Sequence, residues 1–122
     1  MKKKHVLSTM IAMIMIGAFG ITSMAARGEG EYDTKTVIGN ASLKIRSVYG
    51  DTSVSPSGTA TIRIRASRRP TDGGVVVQLP ESANTQSSYV SLEKSVGSGY
   101  VAVSGITYHG TDGNQYVVTL SV

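Results

Sequence analysis

Thr59-Ala60-Thr61-Ile62-Arg63-Ile64-Arg65-Ala66-Ser67 alternates apolar and polar residues without interruption. A repeat of two is the spacing of a pleated strand, whose successive side chains point to opposite faces. Ala60, Ile62, Ile64 and Ala66 are thus expected on a buried face, and Thr61, Arg63 and Arg65 on the other.

The same rhythm extends outward from this stretch. Upstream, residues 35–38 form a short run closed by Gly39-Asn40, and residues 41–49 form a second closed by Gly50-Asp51. In the second run Leu43, Ile45, Ser47 and Tyr49 share one face, and Lys44 and Arg46 take the other. Ser55-Pro56-Ser57-Gly58 reads as a turn. Downstream come a loop over 68–74, an apolar strand over 75–79, a polar connection over 80–86 and a strand over 87–92. A turn region over 93–98 leads to a strand over 99–104, extendable to 107. The last strand covers 115–122, with Tyr116, Val118, Leu120 and Val122 on one face. No window places apolar residues at helical spacing.

About seven short antiparallel strands over residues 35–122 predict a single all-β domain. The architecture resembles the immunoglobulin-like β-sandwich, with a small β-barrel as the alternative. The Cys and Trp landmarks of true immunoglobulin domains are absent, so the resemblance is one of architecture and carries no function. There is also an internal echo. Thr71-Asp72-Gly73 precedes Val75-Val76-Val77-Gln78-Leu79, and Thr111-Asp112-Gly113 precedes Tyr116-Val117-Val118-Thr119-Leu120. Asp-Gly favours tight hairpin turns, so the echo fits two hairpins of like turn chemistry or one duplicated hairpin.

The beginning of the chain has a different character. Lys2, Lys3 and Lys4 precede a mostly apolar stretch over 6–21, and Ser23-Met24-Ala25 supplies small residues at −3 and −1 of a cleavage site. This is the layout of a secretory signal peptide over residues 1–25. The apolar stretch is shorter than the ~20 residues of a stable membrane span. A membrane tie is therefore expected only if the segment is left uncut. Residues 26–34, rich in Gly and acids, read as a flexible polar leader.

Cleavage would leave 97 of the 122 residues, one ordinary domain, and would remove all five methionines and the single phenylalanine. It would also remove three lysines, taking the formal charge from +4 to about +1. The overall basicity is thus largely that of the export segment, and a whole-chain case for nucleic-acid binding falls away. With no cysteine there is no disulfide, thiolate nucleophile or Cys metal site. The expected setting is extracytoplasmic, at a cell envelope or outside the cell, and the short Lys-rich start hints at a bacterium.

Two sets of residues are candidates for binding. Lys44 and Arg46 on one strand, Arg63 and Arg65 on the next, and Arg68 and Arg69 beyond them form a cationic stripe with no acid interleaved within either strand's pair. Neighbouring strands would merge these into a face for an anionic polymer, glycan or protein, since the guanidinium fork suits carboxylate, phosphate and sulfate. A purely solvated, edge-guarding role explains the same charges. Nucleic acid fits poorly, because no aromatic residue interleaves as a stacking platform. The second set is Tyr100, Tyr108, His109, Asn114 and Tyr116, read as framing the last hairpin with His109 in its loop. Exposed, these would suit a glycan; half-buried, they are ordinary sandwich tyrosines.

No catalytic constellation is visible, no zinc set exists, and no cofactor is implied. Asp51, Asp72 and Asp112 sit at expected turns without calcium-like spacing. Glu81 and Glu93 could serve glycosidase chemistry only if they converged. The expected function is a secreted, non-enzymatic binding module acting through the basic stripe. The alternative is a structural or assembly subunit that self-associates through the edge of the terminal strand.

Overall fold

The computed structural model describes residues 14–16 and 23–122. Ten strands occupy them: β1 Ile14–Ile16, β2 Ser23–Tyr32, β3 Lys35–Leu43, β4 Ser47–Ser55, β5 Thr59–Pro70, β6 Val77–Gln78, β7 Ser82–Ser87, β8 Tyr89–Ser95, β9 Tyr100–Thr111 and β10 Asn114–Ser121. They build two open antiparallel sheets rather than a closed barrel. The first sheet has the order β1-β2-β3-β4-β8, and the second runs β10-β9-β5-β6, with β7 also paired to β5. The sheets face each other, β2 lying over β10 and β4 over β5.

Strand β5 behaves as its alternation predicts. Ala60, Ile62, Ile64 and Ala66 are almost fully buried, joined from the facing sheet by Val37, Leu43, Val48 and Val90 and from its own sheet by Val118 and Leu120. The turn over residues 56–58 and the terminal strand are also where expected. The Asp112-Gly113 hairpin closes with positive φ at both residues, 50° and 86°, as a two-residue turn requires. Asp72-Gly73 likewise lies at the centre of the β5–β6 hairpin, although that hairpin is paired at only two positions.

Elsewhere the strands depart from expectation for identifiable reasons. Gly39-Asn40 and Gly50-Asp51 are not turns but strand interiors, and the actual turn is Lys44–Arg46. A Cβ on Gly39 would lie 2.4 Å from the His109 ring, and one on Gly50 would lie 2.8 Å from Ile62 Cδ1. These glycines admit side chains from the opposite sheet, the second meaning of a glycine within a strand. The leader expected over 26–34 is mostly β2, paired with β3 from Met24↔Leu43 to Tyr32↔Lys35. Its Gly28 and Gly30 lie against the Tyr116 ring.

The apolar strand expected over 75–79 shrinks to Val77–Gln78, leaving Val75 76 % exposed. The polar connection over 80–86 instead contains β7, and the turn expected over 93–98 begins only after Ser95. The expected export segment lies mainly outside the described residues. Ile14–Ile16 and Ser23–Ala25 pair within the first sheet, and Met24 joins the core.

Candidate functional site

The cationic stripe does not form a single face. Lys44 and Arg46 occupy the β3–β4 turn of the first sheet, whereas Arg63 and Arg65 are on β5 at the centre of the second. On the outer face of the second sheet both arginines close on one carboxylate: Arg63 Nη1 lies 2.8 Å from Glu81 Oε2, and Arg65 Nε lies 3.1 Å from Glu81 Oε1. Hydrogen bonds from Arg63 and then Arg65 hold the Glu81 carboxyl below its ordinary range. Arg63 also donates to Gln115 Oε1 at 3.1 Å and lies 4.3 Å from the Tyr108 ring centre. These contacts clasp the segment before β7 onto β5. A shallow groove beside them is lined by Arg65, Gln78, Leu79, Pro80 and Glu81.

Lys44 pairs with Glu93 at 3.6 Å, and Glu93 accepts a 2.7 Å hydrogen bond from Ser47 Oγ that lowers its pKa. Glu81 and Glu93 thus serve separate arginine and lysine partners on different sheets. Arg68 follows the β-bulge at Ser67/Arg68 and is half-buried. Its Nη1 donates to Val96 C=O at 2.8 Å, and its guanidinium lies 3.7 Å from the Tyr100 ring centre. Val96 N–H in turn donates to Arg46 C=O, so this end of the sandwich gathers the backbone of Arg46 and the side chain of Arg68. Arg69 donates to the Pro70 carbonyl beside it.

The aromatic set separates as well. Tyr108 faces outward, while His109 and Tyr116 form a cross-strand pair turned inward. Asn114 is exposed at the start of β10, and Tyr100 sits at the opposite end of β9.

His109 is not in a loop but fully buried in β9. Its Nδ1 is 3.0 Å from both Asp51 C=O and Thr52 Oγ1, and its Nε2 is 2.7 Å from Thr107 Oγ1. Because a carbonyl can only accept, the proton belongs on Nδ1, and Thr107 then donates to Nε2. Desolvation lowers the His109 pKa from 6.5 to about 4, against a smaller opposing effect of Asp51, so the ring is neutral near pH 7. Tyr116 stacks on it with centroids 5.4 Å apart. The cluster is a polar girder inside the core, with Thr52, Thr107 and His109 fully buried. Nothing in the sequence distinguishes Thr52 and Thr107 from other strand threonines.

Asp51 accepts from Asn40 and Tyr49, and Asp112 pairs with Lys35 at 2.7 Å. Among the described residues no cluster of His, Cys, Asp or Glu is arranged to hold a metal ion.

The edge of β10 is different. It pairs with β9 on one side, and among the described residues no strand pairs with its other side. Tyr116, Val118 and Leu120 are buried, while Gln115, Val117, Thr119 and Ser121 are exposed. Thr111 and Asn114 flank the two-residue turn as a hydrogen-bonded pair, so the even-numbered amides bond to β9, as does Val122 N–H to Val103 C=O at 3.2 Å. The amides of Gln115, Val117, Thr119 and Ser121 therefore point away from the sheet. Asn-Gln-Tyr-Val-Val-Thr-Leu-Ser contains no charge and no proline, the usual guards of an edge strand. The first sheet's strands β2 and β8 carry such charges, among them Arg27, Glu29, Glu93 and Lys94. Compared with protein-family models, with curated proteins and with solved structures, the chain matches none.

Proposed function

We propose that this chain is an exported, non-enzymatic interaction module that associates by adding the edge of β10 to another strand. The observation that carries this reading is an eight-residue edge strand free of charge and proline, with its outward amides available for a further ladder. Capture of an anionic polymer, glycan or protein has weaker support. Its cations are divided between two sheets, and Arg63 and Arg65 already share Glu81. Export is inferred from the basic start, the apolar stretch and the Ser-Met-Ala site at residues 23–25.

An immunoglobulin-like connectivity is part of the same proposal. The order β3-β4-β8 against β10-β9-β5 parallels the A-B-E and G-F-C strands of that class, with β2 as an addition outside β3.

Thr119→Pro tests the association directly. Proline there removes an outward amide while leaving the even-numbered ladder to β9 in place. Sedimentation velocity should show the wild-type average mass rising with concentration and the variant remaining a monomer. A wild-type protein that is monomeric at every concentration, or a variant that associates equally, would overturn the reading.

A further inference from the structure

We propose that the partner of β10 is the opposite edge of the same sheet in a second copy of this chain, so that copies join head to tail into an open-ended continuous sheet. The inference rests on β10 being the association edge, as argued above, and adds what that edge meets.

The topology supplies the first argument. The second sheet is antiparallel at each step from β10 through β9 and β5 to β6 and β7. Strands β6 and β7 therefore run opposite to β10. A second copy displaced sideways across the sheet brings its β10 antiparallel to β6 and β7 with no reversal of the molecule.

The registers supply the second. Gln115 is level with Gly110, Thr61 and Thr85; Val118 with Thr107, Ile64 and Ser82; and Ser121 with Ser104, Ser67 and Gln78. The composite edge from Thr85 to Gln78 thus covers the same levels as β10 from Gln115 to Ser121. The two edges of this sheet are matched in extent.

Chemistry supplies the third. Strands β7 (Ser-Ala-Asn-Thr-Gln-Ser) and β6 (Val-Gln) contain no charge and no proline; the Leu79-Pro80-Glu81 segment between them lies outside any strand, and its Glu81 is neutralised by Arg63 and Arg65 of the same copy. Beyond Gln78 stand Val77, Val76 and Val75, all at least half exposed, and beyond Ser121 stands Val122, 56 % exposed. In the displaced arrangement the neighbour's Val122 falls beside Val77, which gives the exposed valines an apolar partner. Pairing of β10 with its own copy about a two-fold axis would close a dimer and leave the β6–β7 edge and these valines uncovered. Displacement without closure instead generates a chain of copies.

The test uses complementary variants of the purified protein. Thr119→Pro blocks the β10 edge, with Val117→Lys as a second variant if the first fails to fold. Ala83→Lys combined with Val77→Lys places charges on the β6–β7 edge at exposed positions. Sedimentation velocity of the wild type should show a concentration-dependent series beyond the dimer, and each blocked variant alone should lose every species above the monomer. Mixed in equal amounts, the two variants should form a one-to-one dimer and nothing larger, because each still offers the edge that the other lacks. A β6–β7 variant that dimerises by itself would overturn the head-to-tail arrangement while leaving the β10 reading intact. Association of Thr119→Pro equal to that of the wild type would remove the β10 reading itself.

Discussion

Gly39→Ala is expected to destabilise the protein by about 3 kcal/mol, through overpacking and the disruption of a buried hydrogen-bond cluster. Gly39 does not have a positive φ, so alanine meets no backbone obstacle there. The whole penalty is steric: the new Cβ would lie 2.4 Å from Cγ and Nδ1 of His109. The ring cannot retreat freely, because Asp51 C=O, Thr52 and Thr107 hold both its nitrogens and Tyr116 lies against its face. In thermal unfolding this corresponds to a melting temperature lower by roughly 12–24 °C for a domain of this size. Gly73→Ala provides the contrast. It has open space around it and only a positive φ of 101° to oppose the change, so its loss should be nearer 1 kcal/mol. Equal effects at the two positions would show that His109 does not pack as described.

The second large effect is a loss of stability in mild acid. In the unfolded chain His109 takes up a proton near pH 6.5, whereas in the folded core it does so only near pH 4. The unfolded state therefore binds more protons between these values, and stability rises with pH across that window. Stability is fully present above about pH 6.5, declines as pH drops toward 4, and loses about 3 kcal/mol in all. The charged ring would have no carboxylate on its own side chain contacts: it faces Asp51 through the backbone carbonyl, two threonine hydroxyls and the Tyr116 ring. Glu81 and Glu93 have lowered pKa values, so their contribution is lost only further into acid, which separates them from the histidine. Urea midpoints at pH 7 and pH 4.5 should differ clearly in the wild type. In His109→Gln, less stable from the start, the difference should be largely gone. Wild-type midpoints that coincide at the two pH values would contradict a buried neutral His109.

How far the sequence discloses this structure depends on what determines each element. Thr59–Ser67 is legible because one face is buried and the other solvated, so burial writes itself into the alternation. The Asp112-Gly113 turn is legible because a two-residue hairpin demands positive φ. Gly39 and Gly50 mislead because a glycine that makes room for a ring or a methyl group reads the same as one that makes a turn. Gly28 and Gly30 belong to a strand for the same reason, despite acidic neighbours. Strand β7 carries no apolar rhythm, since it is held by its ladder to β5 at the sheet margin. Val75 and Val76 mislead in the opposite sense, being β-formers that lie outside any strand and remain exposed.

The basic stripe shows a further limit. Lys44 and Arg46 lie in the β3–β4 turn, Arg63 and Arg65 lie on β5, and the chain changes sheets between β4 and β5. Both the turn and the crossover keep the charges apart, and no local pattern encodes the crossover. The composition of β10, an alternating strand without charge or proline, is legible in the sequence. Its counterpart on β6 and β7 is not, because residues 75–79 read as an apolar buried strand and residues 80–86 read as a connection.

Amide hydrogen exchange along β10, followed as protein concentration is raised, reports directly on association through this edge. Val118 and Leu120 amides, bonded to β9, should be protected at all concentrations. Val117 and Thr119 amides should exchange rapidly in dilute protein and become protected as it is concentrated. Exchange at Val117 and Thr119 that is as fast at the highest concentration as at the lowest would contradict association through this edge.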